Sequence, residues 1–233
     1  MKVANGNDKL GKGCLVVSRP VGDTCPPCDF FNNGCYAEQT EKMYPGVRPA
    51  GMQNIITEKH RIRSMILDAI RQGKSIRWHE RGDWFLNGEL DLDYVSNVTW
   101  ACESILADGN KLPDMWFYTH IYDSRLVSLE KYMNVYASIH NASHKATAVA
   151  AGFKLFAWCD SDQKIATKRP RSKAKADAWR KSLPKLVIID DTKYITCPEI
   201  RRGRGVVTCT PTKGSVTCDL CVKGLANVLF PSH

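Results

Sequence analysis

Ser75-Ile-Arg-Trp-His79, the run Val95, Val98, Cys102, Ile105 and Leu106, and then Met115-Trp-Phe-Tyr-Thr119 are the stretch on which the fold turns. Two short segments rich in β-branched and aromatic residues flank apolar positions that recur at helical spacing and stop at Gly109, the pattern of strand, crossover helix and strand. Such a crossover sets the two strands parallel. Working outward, Val135-Tyr-Ala-Ser-Ile139, Lys154-Leu-Phe-Ala-Trp158 and Lys185-Leu-Val-Ile-Ile189 read as further strands. Helical patterns over Ser124–Met133, His144–Ala151 and Ser172–Leu183 precede them in turn. Upstream, Cys14-Leu-Val-Val-Ser18 is a strand that leads through a turn-rich loop into a long helix ending at Gly73. Six strands separated by helices predict a parallel sheet. A complete eight-unit barrel takes about 250 residues. The expectation is therefore an α/β fold, a six-unit parallel β/α partial barrel over residues 1–192, with a short cysteine-rich extension over 193–233 packed on it.

The whole chain has 233 residues, 43% hydrophobic and 24% charged, with ten cysteines and a net charge of +9. This is a globular composition. No apolar run reaches the roughly 18 residues of a membrane span, and the polar start, Met1 to Lys12, lacks the apolar core of a signal peptide. A reducing, cytoplasmic setting is expected, in which clustered cysteines mean metal or redox chemistry.

The cysteines fall into groups. Cys25, Cys28 and Cys35 make a C-x2-C-x6-C set, and Cys197, Cys209, Cys218 and Cys221 make a C-x11-C-x8-C-x2-C set. Cys14, Cys102 and Cys159 stand alone in apolar runs and read as small core residues. Three thiolates in a loop can hold three irons of a [4Fe-4S] cluster and leave the fourth open, whereas structural zinc wants four closed ligands. Zinc completed by His79, His120 or a distant cysteine is the alternative at the first set. The second set supplies enough thiolates for zinc or a second cluster, with Cys209 its least secure member.

In parallel β/α folds the site lies at the C-terminal ends of the strands. Those positions hold His79, Glu80 and Asp83 after the second strand and His120 after the third. Ser138 and His140 follow at the fourth, and Asp160 at the fifth. His79, Glu80, Asp83, His120, His140 and Asp160 are candidate catalytic residues; Glu80 and Ser138 are candidate cofactor contacts beside the first three cysteines. From Lys164 to Lys185 the chain carries nine Lys or Arg against Asp177 alone, a local charge of +8. With Arg201, Arg202 and Arg204 this predicts a footprint for nucleic acid or a nucleotide.

Thr24-Cys-Pro-Pro-Cys-Asp-Phe-Phe-Asn-Asn-Gly-Cys-Tyr-Ala-Glu38, with Ser18-Arg19-Pro20, Arg77-Trp-His-Glu-Arg-Gly-Asp-Trp-Phe85 and Cys197-Pro198, resembles an uncharacterised phage family, the gene-product-88-like proteins. That resemblance implies a phage gene acting in bacterial cytoplasm. The ending Cys35-Tyr-Ala-Glu38 is also similar to phage proteins with a radical S-adenosylmethionine-like fold. Their likeness implies a six-unit partial barrel, a cluster on Cys25, Cys28 and Cys35, and S-adenosylmethionine at the open iron, cleaved reductively to start radical chemistry. That superfamily's usual spacing is C-x3-C-x2-C, and Glu80-Arg-Gly-Asp83 stands where it often carries Gly-Glu-Glu. The functional expectation is an iron-sulfur enzyme of this type acting on nucleic acid or a nucleotide. Its rivals are a zinc-binding nucleic-acid-interaction protein without catalysis and, last, metal-assisted hydrolysis by His79, Glu80 and Asp83.

Overall fold

Burial on both faces holds the central sheet together, and it follows from the apolar runs that nominate the strands. The computed structural model describes residues 1–28, 35–56, 58–160, 165–167, 169–170, 172–203 and 205–231. Its strands begin with β1 (Val3–Asn5), β2 (Cys14–Val17) and β3 (Ser75–Trp78). A short ribbon, β4 (Phe85–Leu86) and β5 (Glu89–Leu90), precedes β6 (Met115–Thr119), β7 (Asn134–Ile139) and β8 (Leu155–Asp160). The chain continues through β9 (Leu186–Ile189), β10 (Thr192–Thr196), a second ribbon of β11 (Val207–Thr208) and β12 (Val216–Thr217), and β13 (Asn227–Pro231). Nine strands form one sheet in the order β1-β2-β3-β6-β7-β8-β13-β10-β9. Neighbours from β2 to β10 are parallel, and only the edge strands β1 and β9 run antiparallel to theirs.

The two faces of this sheet are covered differently. After the cysteine loop come α1 (Tyr36–Met43) and α2 (Val47–Met52), then the crossover helices α3 (Lys59–Arg71) and α4 (Leu92–Ala107). Ile62, Met65, Ile66 and Ala69 of α3 and Val98, Cys102 and Ile105 of α4 pack with Val17, Ile76, Trp78 and Phe117 in the main core. Each such large apolar side chain contributes about 1.5–3 kcal/mol on burial. Asp91 starts α4 by accepting from Tyr94 N–H at 3.0 Å. The remaining helices are α5 (Ser124–Val127), α6 (Ala142–Ala150), α7 (Lys173–Ser182) and α8 (Pro198–Arg202). On the opposite face Val16, Trp116, Tyr136, Ala157, Val228 and Phe230 pack against Leu10, Cys197, Cys221 and Val222. The start of the chain and its tail, not the crossover helices, cover that side.

The fold class is α/β with a large, mostly parallel sheet. The sheet is open, with β1 and β9 at its edges, so the partial barrel expected from sequence is not what this topology establishes. The expected sixth parallel strand, Lys185–Ile189, is a correction. Leu186–Ile189 pairs antiparallel with Thr192–Thr196. Only Asp190 and Asp191 separate the two strands, and both take positive φ, 46° and 58°. That is a two-residue hairpin turn, and a parallel neighbour would need a far longer connection. The parallel partner of β8 is instead β13, from the tail. Residues beyond 192 thus supply β10 and β13 to the sheet itself. No helix among the described residues is long and apolar enough to cross a membrane.

Candidate functional site at the strand ends

Arg77 sits in β3 with its side chain on the tail-covered face, its guanidinium 4.3 Å from the centre of the Tyr118 ring. Two residues on, the strand ends at His79, whose φ of 51° breaks the extended run. The chain then turns back through Gly82, which has a φ of 72° and would place a Cβ 2.5 Å from Thr24 Oγ1 and 2.7 Å from the Arg19 carbonyl oxygen. Only glycine fits such a position. Asp83 N–H donates to Thr24 O at 2.8 Å and Arg19 N–H to Arg81 O at 3.0 Å, so the loop after β3 is bound to the segment leading into the cysteines. Arg19, wholly buried, adds its own anchor: its guanidinium pairs with Asp91 at 2.5 Å and donates to Asp83 O at 3.2 Å.

These loops enclose a cavity of about 200 Å³. Cys25, Cys28 and Cys35 line it together with His79, Glu80, Asp83, His120, Ser138 and His140. Sequence alone nominates all nine, and the fold brings them to one space. An outer groove of about 800 Å³, walled by Met52, Ile56, Phe85 and Leu86, shares Cys25, Pro26 and Cys28 with the cavity. The cysteine loop therefore stands between groove and cavity.

Asp83 is nearly inaccessible and accepts three hydrogen bonds. Trp84 N–H and Thr119 Oγ1–H donate to Oδ1, each at 2.8 Å, and His120 N–H donates to Oδ2 at 3.0 Å. Burial nonetheless raises its carboxyl to about 6, against the pull of those donors. A carboxyl with that affinity can hold or release a proton near neutral pH. Beside it the facing Nε2 atoms of His120 and His140 are 2.9 Å apart and the rings are stacked, so one nitrogen carries a proton and the other accepts it. His79 is the opposite case. Burial, with Arg19 and Arg77 nearby, drives its pKa well below the usual histidine value, and it packs as a neutral ring among Trp84 and Tyr94. Its Nδ1 has no hydrogen-bond partner among the described residues. Glu80 accepts from Asn7 Nδ2 at 2.5 Å.

Two nominated groups lie elsewhere. Asp160 Oδ2 accepts from Ile165 N–H at 3.0 Å and Ala166 N–H at 2.9 Å, organising the chain after β8 rather than lining the cavity. Cys197, Cys209, Cys218 and Cys221 line a separate, closed space of about 10 Å³ against Val228. All ten cysteines are free thiols. Burial pushes the Cys221 thiol up to about 12, with Cys197 and Cys218 adding to the rise. Burial likewise raises Cys25 to about 12, with Asp83, Cys35 and Cys28 contributing. Crowded thiolates of this kind are what a bound cation stabilises. Among the described residues, no three His, Cys, Asp or Glu side chains stand in an arrangement that holds a metal ion. The two sets offer donors of the chemical type a metal takes, without that arrangement.

Cys14 and Cys102 are core thiols as expected; Cys159 is buried too but also borders the cavity. Lys9, Arg77, Tyr118 and Phe230 line the cavity without nomination from the strand-end rule. Arg77 carried a signal, since a charged residue inside a parallel strand has to be buried. Lys9 carried none. Lys173, Lys175, Lys181 and Lys185 of the basic segment are exposed, and Arg180 pairs with Asp177. Lys164, Lys168, Arg171 and Arg204 lie outside the described residues.

A family model described as Gene product 88 matches residues 1–224. No curated protein and no solved structure matches the chain.

Proposed function

The chain belongs to the Gene product 88 family of phage proteins, and from that premise we propose that it is an iron-sulfur enzyme whose cluster rests on Cys25, Cys28 and Cys35. The observation that carries the reading is the shared cavity: three unpaired thiols face the same space as His120, His140 and Asp83 at the C-terminal ends of parallel strands. Three thiolates leave one iron open to a ligand, where a cluster supplies electron transfer or Lewis acidity. The protein's own share is positional. Asp83 and the His120–His140 pair can hold or pass a proton beside the thiols, while neutral His79 and its aromatic neighbours keep water from that wall. The apolar outer groove would carry the bulk of a substrate whose reacting end enters past Cys25 and Cys28. S-adenosylmethionine at the open iron is the finer form of this proposal, and it rests on the sequence likeness at Cys35-Tyr-Ala-Glu38.

Purified without oxygen, the protein is expected to contain iron and sulfide in about equal amounts, with broad visible absorption. Cys28→Ala should lose most of both. A colourless protein that holds only zinc, or a Cys28→Ala variant with undiminished iron and sulfide, overturns the reading.

A second reading is favoured by the C-terminal thiols. Their closed space of about 10 Å³ is the size of one small ion or water, which suits a structural zinc. Helix α7, with its exposed lysines, packs against α8 beside Cys197. In that reading the protein is a zinc-stapled nucleic-acid-interaction module, and its binding weakens steeply with salt.

A further inference from the structure

We infer that the cavity at the strand ends receives an oxyanion, a carboxylate or a phosphate, and that Arg77 is the residue that binds it, with Arg81 and Lys9 alongside. The inference deepens the enzyme reading and rests on it in taking this cavity as the substrate's place.

Among the described residues two arginines are buried to 6% exposure or less, and their surroundings differ. Arg19 has a carboxylate partner, Asp91 at 2.5 Å, and two carbonyl acceptors. Arg77 donates through Nη1 to Trp78 O at 2.8 Å and lies over the Tyr118 ring, and no carboxylate among the described residues is within ion-pair distance of it. A guanidinium does not shed its proton. Leaving one buried without a counter-charge costs several kcal/mol, and such groups in native proteins have partners. Among the described residues that partner is absent, and the wall where Arg77 stands is a cavity wall.

The rest of that wall agrees. Arg81 Nε is buried without a hydrogen-bond partner among the described residues. Lys9 Nζ stands 4.6 Å over the Phe230 ring, and no ion pair is formed by it among the described residues. Lys9 also lies near the Cys197 and Cys209 thiols and the Glu199 carboxylate, so Arg77 is the stronger witness. The acidic groups of the cavity are turned to other donors: Asp83 to Trp84, Thr119 and His120, and Glu80 to Asn7. Planar guanidinium N–H groups match the two oxygens of a carboxylate or phosphate. At about 200 Å³ the cavity is smaller than the roughly 300–1,000 Å³ of drug-sized ligand pockets. It accepts a small oxyanion or the anionic end of a longer molecule.

The test is calorimetric titration of the full chain, as purified without oxygen, with inorganic phosphate and separately with succinate, at low and moderate salt. The expected result is binding of one of the two, weakened at least tenfold in Arg77→Gln, partly restored in Arg77→Lys and unchanged in Lys223→Gln on the far surface. Phosphate binding identifies a phosphoryl ligand, and succinate binding identifies a carboxylate. Should Arg77→Gln fail to fold, Arg81→Gln is expected to weaken binding threefold or more. The inference is overturned if neither anion binds the wild-type protein, or if the Arg77 or Arg81 variant binds as tightly as wild type. Iron measured on the same samples separates the two readings. Anion binding through Arg77 in a protein without iron sinks the cluster alone, whereas iron lost from Arg77→Gln with anion binding intact assigns Arg77 to the metal centre and overturns this inference.

Discussion

The three cysteines near the start of the chain, at the ends of the strands, and the four near its end, on the tail-covered face of the sheet, have the same chemistry and different company. The first group borders a space of about 200 Å³ that also holds His120, His140, Asp83 and Arg77. The second closes on about 10 Å³ among Pro198, Glu199, Thr208, Asp219, Leu220 and Val228. Thiols around a space that small can only stabilise a structure, and thiols beside open volume can take part in chemistry. The comparison teaches that cysteine spacing alone does not assign a role. Neighbours do.

The largest effect expected from this difference is on stability. Cys221→Ser should lower Tm by about 10 °C, since it opens a buried thiol cluster that joins the tail to Val228 and Tyr118, and a chain of this size shifts about 2–4 °C per kcal/mol. Cys28→Ala, on the cavity wall, should cost about 3 °C or less while losing iron. Equal thermal losses in the two variants, read by differential scanning calorimetry, break the comparison. Next in size is Gly82→Ala. Its positive φ and the 2.5 Å approach to Thr24 Oγ1 predict a loss of about 2–3 kcal/mol. Because Gly82 locks the loop after β3 to the cysteine segment, this variant should also weaken iron retention, which Cys221→Ser should not.

The smallest effect concerns pH. Asp83 binds its proton more tightly folded than unfolded, so the stability it contributes is complete below its unfolded pKa of 3.8 and is lost as pH rises through about 6. Asp83→Asn removes the titration, and the fall in Tm between pH 4 and pH 6.5 should be shallower than in wild type. Parallel pH profiles for the two would mean that the three donors around Asp83 stabilise its ionised form, and would remove it as a proton-holding group at the cavity.

Much of this was legible beforehand. Met115–Thr119 is a strand to the residue, and Ser75, Val135 and Leu155 fall in the strands that bear them. Their patterns are local: period two or unbroken burial in a strand, period 3.6 in a helix. Lys185–Ile189 shows where that legibility stops. Its composition is that of a strand, but whether it pairs parallel or folds back depends on Asp190 and Asp191 adopting positive φ, which aspartate does only in the right surroundings. At the site, the strand-end rule found His120, His140, Ser138 and Asp83. It missed Lys9, more than sixty residues from the nearest of these apart from the cysteines, and it placed Asp160 in a cavity that Asp160 does not border.

The sequence by itself determined which segments are strands and helices, that the cysteines form two sets, and where charge and polarity gather at strand ends. Each of these is a property of near neighbours along the chain. Only the tertiary structure decided that β13 enters between β8 and β10, that the tail rather than a helix covers the second face, and that Arg77 is buried with no carboxylate of the described residues paired to it. Those outcomes depend on which distant surfaces exclude water together. Backbone periodicity defines the surfaces, and the burial of one against another, acting over the whole chain at once, chooses their partners.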